Sequence, residues 1–122
     1  MKKITILTCL FIIFACFIST AQNTVYLQAG GTGDGKSEST PYGSFNTALA
    51  DIDSAGDKLI IIGTISLQGI NLTSKSFAFT IEGLDASSTL TGDGGTGRLF
   101  TINGATTADV TLKDLTFSGY NT

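Results

Sequence analysis

Short apolar strands recur in sets of three along the second half of the chain, separated by turns of Gly, Asn, Asp and Ser. Two sets are complete and a third has only two strands; the predicted strands are 59–62, 65–67 and 70–72, then 77–81, 89–90 and 99–102, then 110–112 and 115–117. Matching first strands are centred on Ile60, Ile81 and Leu112, and a spacing of about 20–30 residues is typical of solenoid coils. The pattern predicts a parallel β-helix of about two and a half coils.

Alternation within the strands supports an all-β fold. In the first set, Ile65, Leu67 and Ile70 can point inward while Thr64 and Ser66 point outward. Each coil of a solenoid buries its apolar face only against its neighbours, so a chain that stops within the third coil is expected to be incomplete at its C-terminus. A β-sandwich of short antiparallel strands shows similar alternation and is the alternative fold.

A helix is predicted just before the first coil. A strand at 24–27 and a Gly-rich stretch at 29–37 lead to Ser44, a good N-cap, and Gly56 offers a natural stop. The apolar residues between them share one helical face, and they are Phe45, Ala48, Leu49, Ile52 and Ala55. We expect a helix over 44–55 that covers the open end of the first coil. The alternative is an ordinary surface helix of a small α+β domain.

The first 21 residues have the features of an export signal. Lys2 and Lys3 form a basic start, residues 4–18 are almost wholly apolar, and Ser-Thr-Ala at 19–21 offers small residues for cleavage after Ala21. This pattern predicts a protein that is secreted or held at the cell surface, in the outer membrane or the extracellular space.

Two other interpretations of this segment remain open. A transmembrane anchor needs about 20 apolar residues, which is more than this run provides. A lipoprotein is the second alternative, because residues 13–16 resemble a lipid-attachment box that ends at Cys16. Membrane contact is therefore expected only through this segment or a lipid on Cys16. The chain divides into a signal peptide (1–21), a strand, loop and capping helix (22–57) and the coils (58–122).

Composition removes several classes of function. Cleavage takes away both cysteines, Cys9 and Cys16, so the mature chain has no thiol or disulfide. Of seven basic residues two also leave, and the remaining five face ten acidic ones, a formal charge of −5. Such a charge argues against nucleic acid or anionic lipid as a partner. The sequence has no histidine, which excludes Ser-His-Asp triads and histidine-ligated zinc within this chain.

Two glycine-rich segments match nucleotide-binding motifs. Residues 30–37 fit G-x-x-x-x-G-K-[ST] and end in Lys36 and Ser37. A phosphate loop needs a helix immediately afterwards, and Pro41 disfavours one there. Residues 92–97 fit G-x-G-x-x-G, but they lead into a predicted strand rather than a helix. Both segments are interpreted as turns, and no nucleotide partner is expected.

Carboxylates are the remaining groups with chemical potential. Five loop aspartates could coordinate calcium, and they are Asp34, Asp85, Asp93, Asp109 and Asp114. None has a recognised calcium-loop spacing, and such residues commonly make Asx turns. We therefore assign no catalytic, cofactor-binding or metal-binding residue. Asn71 and Thr73 complete an N-glycosylation acceptor, which matters only in a cell that glycosylates exported proteins.

Several segments together resemble the N-terminal part of the pectin-lyase-like right-handed parallel β-helix superfamily. They are residues 33–37, 41–49 and 56–65, which resemble its glycine loop, capping helix and G-D-x-I start of the first coil. Residues 99–102 and 110–119 resemble coils of bacterial surface and polymorphic outer-membrane proteins. The resemblance covers residues 24–121.

This resemblance implies a right-handed solenoid, while function varies widely within such a superfold. Its members include polysaccharide lyases, glycoside hydrolases and non-catalytic adhesins, and catalytic groups of the enzymes lie on middle coils. Three hypotheses follow: the N-terminal fragment of a secreted or surface β-helix for adhesion or glycan binding, the N-terminal part of a carbohydrate-active enzyme with its active site beyond residue 122, or a small complete secreted binding domain. Whether an enzyme is involved stays open. The expected partners are a polysaccharide or cell-surface glycan and further coils of a longer chain.

Overall fold

The structure is a computed structural model that describes residues 21–72, 74–92, 97–102 and 109–120. Within these residues the chain forms strands and one short helix, which are β1 (Thr24–Gln28), α1 (Phe45–Ala50), β2 (Lys58–Ile62), β3 (Thr64–Ser66), β4 (Ile70–Asn71), β5 (Phe79–Gly83), β6 (Thr89–Thr91), β7 (Phe100–Thr101), β8 (Val110–Lys113) and β9 (Thr116–Ser118). Every predicted strand is present, and no boundary moves by more than two residues. No helix in the described ranges is long and apolar enough to cross a membrane.

The strands form three parallel sheets. Sheet A has the order β1-β2-β5-β8, sheet B the order β3-β6-β9, and sheet C pairs β4 with β7. Every pairing between these strands is parallel. From β2 onward, the chain therefore visits sheet A, then sheet B, then sheet C, and returns to sheet A. The all-β prediction with parallel pairing is confirmed.

The register corrects the predicted repeat by one residue. Leu59, rather than Ile60, pairs with Ile81, and Ile81 pairs with Leu112. Ile60 lies opposite Glu82 on the other face of sheet A and is half-buried. The run at 59–62 is apolar at every position, so alternation could not show which of its residues face inward.

The core lies between the three sheets and the helix. Its buried members come from every element up to β6, and they are Val25, Leu27, Phe45, Ala48, Leu49, Ile52, Leu59, Ile61, Ile65, Leu67, Ile70, Leu72, Phe79, Ile81 and Leu90. The predicted inward positions of the first set are all buried, whereas Thr64, Ser66 and Asn71 are exposed. Burial decreases toward the last described strands, where Leu112 is 43% and Phe117 is 45% exposed.

The helix is shorter than predicted. Ser44 is its N-cap, as expected, but α1 ends at Ala50, with Asp51 as the C-cap. The backbone N–H groups of residues 53 and 54 donate to the buried carboxylate of Asp57, so they are not available for a longer helix. Ile52 is still buried, while Ala55 is exposed and its predicted place on the apolar face is wrong.

The two edges of sheet A differ. Along the outer edge of β1, Tyr26 N donates to Gly35 O at 2.8 Å and Gln28 N donates to Tyr42 O at 2.9 Å. The Gly-rich loop and the segment before α1 thus satisfy the backbone of β1. At the other edge, β8 is the last strand of the sheet within the described residues. The edge at β1 is therefore closed by the chain itself, whereas the far edge of β8 has no strand beside it among the described residues.

Candidate functional site

The Gly-rich loop folds back on itself beside β1. Gly33 N donates to Pro41 O at 2.9 Å and Gly35 N donates to Thr40 O at 2.7 Å. A Cβ on Gly33 would lie 2.2 Å from Thr40 O, and Gly35 has a φ of +70°, so both positions require glycine. The helix that a phosphate-binding loop needs begins only at Phe45. The interpretation of this segment as a turn is confirmed.

Two of the five aspartates considered as calcium ligands form hydrogen bonds that stabilise turns. Asp34 Oδ1 accepts hydrogen bonds from Thr40 Oγ1 at 2.8 Å and from Lys36 N at 3.2 Å, and these bonds lower the pKa of Asp34. Asp85 Oδ1 accepts from Ser87 Oγ at 2.6 Å and from Ser87 N at 2.8 Å, with the same effect on its pKa. The predicted Asx-turn role is confirmed for both residues.

A charged row crosses the outer face of sheet A. Glu82 on β5 accepts from Lys113 Nζ on β8 at 2.6 Å, and Lys58 Nζ on β2 lies 3.6 Å from its other oxygen. Lys113 Nζ is also 3.3 Å from Asp114. The hydrogen bond with Lys113 lowers the pKa of Glu82 and raises the pKa of Lys113. Both groups are therefore charged at neutral pH, and the row links three strands of the sheet.

A cavity of about 450 Å³ lies at the C-terminal ends of β5 and β8. Its lining includes Glu82, Asp85 and Asp114, but no group of three acidic, cysteine or histidine side chains in the described residues is arranged to hold a metal ion. Asp114 has a φ of +51°, and its carbonyl oxygen would lie 2.0 Å from a Cβ on Gly83. The turn after β5 therefore lies directly against the turn after β8, and the packing of these two turns determines the shape of the cavity.

Asp57 is a buried carboxylate whose role the sequence analysis missed. It is fully buried, and its oxygens accept from Asn23 N at 2.9 Å and from Asp53 N and Ser54 N at 3.0 Å each. It thereby joins the start of β1, the loop after α1 and the start of β2. In the sequence, Asp57 is a single Asp just before a predicted strand, and such an Asp is commonly a turn residue. Its structural role becomes visible only with its hydrogen-bond partners in the folded chain.

The outward face of sheet B carries only hydroxyl side chains. The register aligns them in two rows across the three strands, namely Thr64, Thr89 and Thr116, and then Ser66, Thr91 and Ser118. The members on β3 and β9 are exposed, and those on β6 are half-buried. The Thr89 hydroxyl donates to Ser87 O and the Thr91 hydroxyl donates to Gly92 O. Because the hydrogen of each hydroxyl is used in this way, the two hydroxyl oxygens of the middle strand can act as acceptors. We call these six residues the hydroxyl face.

Other flagged residues lie apart from these features. Asp109 is exposed immediately before β8, and Asn71 is exposed at the end of β4. Cys16, Thr73 and Asp93 lie outside the described residues, as does most of the 92–97 motif. Of the calcium candidates within the described residues, Asp85 and Asp114 are the two that come together, and they line one cavity.

Comparison with known proteins yields no relative for this chain: no family model, no curated protein and no solved structure matches it.

Proposed function

We propose that this chain is the N-terminal part of an exported right-handed parallel β-helix that acts as a non-catalytic scaffold at the cell surface and binds glycan. The cyclic order in which the chain visits sheets A, B and C supports a solenoid. The connection between two parallel strands of the same sheet is almost always right-handed, which supports a right-handed β-helix. The closed edge at β1 supports the assignment of α1 and the Gly-rich loop as the N-terminal cap.

The hydroxyl face is the observation that carries the binding proposal. Neighbouring strands place its side chains about 4.7–4.9 Å apart, in uncharged rows that can extend along a polymer. Hydroxyl groups both donate and accept hydrogen bonds, which matches the hydroxyls of a sugar chain. A mature charge of −5 favours a neutral or cationic glycan over a polyanion.

Within this part of the protein, four carboxylates serve the structure rather than acid catalysis. A general acid needs a raised pKa, whereas Asp34, Glu82 and Asp85 have lowered pKa values. Asp57 is enclosed by the backbone amides that it binds. Each of these groups has a structural partner that accounts for its position.

The test is retention of the exported chain on insoluble polysaccharides of known composition, followed by analysis of the soluble fraction. We expect retention on at least one neutral or cationic polymer without release of sugar. The double variant Thr64→Val and Thr116→Val, which removes two exposed hydroxyls from one row, should reduce retention severalfold. The matched control is Thr47→Val, an exposed hydroxyl on α1.

Two results would contradict the proposal. Equal retention of the double variant and the wild-type chain would exclude the hydroxyl face as the binding surface. Release of new reducing ends or unsaturated sugars would instead support the carbohydrate-active enzyme.

N-terminal sequencing of the same exported sample should begin at Gln22, and a start at a lipid-modified Cys16 would assign the lipoprotein alternative.

A further inference from the structure

A second cavity, of about 390 Å³, lies against the Gly-rich loop at the C-terminal end of β1. It is lined by residues 28–33 and 39–41, none of which is charged. Its volume is within the range of about 300–1,000 Å³ that ligand pockets commonly have. The polar side chains in its lining belong to Gln28, Thr32, Ser39 and Thr40. The cavity is therefore polar and uncharged, and none of its residues belongs to the hydroxyl face.

Backbone hydrogen bonds hold the wall of this cavity in place. Gly31 N donates to Gln28 O at 3.0 Å, and Gly33 N donates to Pro41 O at 2.9 Å. The second of these bonds joins the two halves of the lining across the loop. A pocket that is already formed loses little conformational entropy when a ligand enters it, and this favours binding.

Three hydroxyl groups of the loop form a hydrogen-bonded chain with a fixed direction. Thr40 Oγ1 donates to Asp34 Oδ1 at 2.8 Å, and each hydroxyl has only one hydrogen to donate. Ser37 Oγ lies 2.8 Å from Thr40 Oγ1 and must therefore donate to it. Ser39 Oγ lies 3.0 Å from Ser37 Oγ and must donate in turn, since the hydrogen of Ser37 is already used. The chain thus begins at Ser39 and ends at the carboxylate of Asp34.

The direction of this chain determines what the cavity can bind. Asp34 is charged at neutral pH, because hydrogen bonds from Thr40 and from the Lys36 backbone lower the pKa of Asp34. Ser39, which lines the cavity, uses its hydrogen within the chain, so its oxygen presents only lone pairs to a ligand. A group that brings hydrogens fits here, whereas an anion such as phosphate mainly brings acceptors.

We propose that this cavity, which we call the cap cavity, binds one sugar unit of a neutral or amino glycan through hydrogens that the sugar donates. The inference rests on the proposed glycan-binding function and deepens it, because it adds a contact beside the hydroxyl face. Gln28 at the cavity pairs with Ile62, two residues before Thr64, which begins that face. The cap cavity thus lies at the corner where the chain turns from sheet A into sheet B, and one glycan can contact both surfaces.

The test is an NMR titration of the isotope-labelled exported chain, with each probe added up to about 20 mM. The probes are a cello-oligosaccharide as the neutral glycan, an oligomer of glucosamine as the amino glycan, and inorganic phosphate as the anion that the sequence motif would favour. We expect the amide signals of Thr32, Gly33 and Ser39 to shift with at least one sugar and not with phosphate. A contact of a few hydrogen bonds should have a dissociation constant on the order of 1 mM.

The variant Ser39→Ala removes the acceptor oxygen and should weaken sugar binding at the loop by about three- to tenfold. Ser74→Ala, at an exposed serine outside the loop, is the matched control and should bind like the wild-type chain. The amide signals outside the loop show whether each variant keeps the fold. If Ser39→Ala disturbed it, Ser37→Ala would decide in its place, because it breaks the same chain and frees the hydrogen of Ser39.

The outcomes separate this inference from the proposed function. Sugar-induced shifts at the loop that Ser39→Ala weakens support the cap cavity. Shifts confined to β3, β6 and β9 overturn it and leave the hydroxyl face as the binding surface. Equal sugar binding by Ser39→Ala and the wild-type chain overturns it, as do phosphate-induced shifts at the loop that exceed those of both sugars. Absence of any sugar-induced shift overturns it too, and retention of the chain on polysaccharides then decides the proposed function separately.

Discussion

The carboxylate of Asp57 is the polar group on which the N-terminal end of the fold depends most. It binds backbone N–H groups from two segments that are distant in sequence, at 2.9 and 3.0 Å, and it is fully buried. Hydrogen bonds to a charged acceptor are about twice as strong as neutral ones, and their loss leaves buried donors unsatisfied.

We expect Asp57→Asn to lower the free energy of unfolding by about 2–4 kcal/mol, because the amide keeps one acceptor and turns its NH₂ toward backbone N–H groups. Urea unfolding followed by circular dichroism measures the effect. Asp53→Asn is the matched control, since the exposed Asp53 carboxylate accepts a hydrogen bond from the Ser54 hydroxyl and from no other group among the described residues. If both variants unfolded at the wild-type urea concentration, the role assigned to Asp57 would be wrong.

The pKa of Glu82 gives a second prediction at this scale. Its hydrogen bond with Lys113 holds the pKa below the ordinary value of 4.5, so the folded state releases this proton more readily than the unfolded chain. The stability from this pair is present above pH 4.5 and is lost as the pH falls through the lowered pKa. We expect unfolding free energy to decline below about pH 5 and Glu82→Gln to flatten part of that decline. Glu38→Gln, in an exposed loop, is the matched control.

At the scale of elements, the pattern of apolar and polar residues predicted the bounds of the strands well and the end of the helix less well. The segments that became β3 to β9 were recognisable because inward apolar residues alternate with polar ones. The register of β2 was not, since Leu59 and Ile60 are both apolar. The end of α1 depends on Asp57, whose bonds to residues 53 and 54 are tertiary. The hydroxyl face also depends on strand pairing, which local sequence does not specify.

The helix α1 provides a prediction about capping. Leu49 is buried, and the ring of Phe45 lies 6.3 Å from that of Phe100 on β7, so the helix packs against the core. We expect Leu49→Asp to destabilise the fold by about 3–5 kcal/mol, because an unpaired charge would be buried there. Thr47→Asp, on the exposed side of the same helix, should change stability by less than about 0.5 kcal/mol. A thermal melt of Leu49→Asp at the wild-type temperature would contradict the capping role.

At the scale of the whole molecule, stability is expected to be graded along the chain. β1 is held by the Gly-rich loop on one side and by β2 on the other, and β2 and β5 each have a strand on both sides. β8 and β9 have one neighbouring strand each within the described residues. In stacked repeats each unit is stabilised mainly by its neighbours, so local opening should begin at β8 and β9.

Amide hydrogen exchange tests this gradient. At low protein concentration we expect the slowest exchange in β2 and β5, at Leu59, Ile61 and Ile81, whose side chains are fully buried. Exchange at Val110 and Leu112 should be faster by at least about tenfold, because Phe79 N donates to Asp109 O and the N–H groups of Val110 and Leu112 therefore point away from β5. Uniform exchange across β2, β5 and β8 would contradict the graded stability, since it would mean that the sheets open only as one unit.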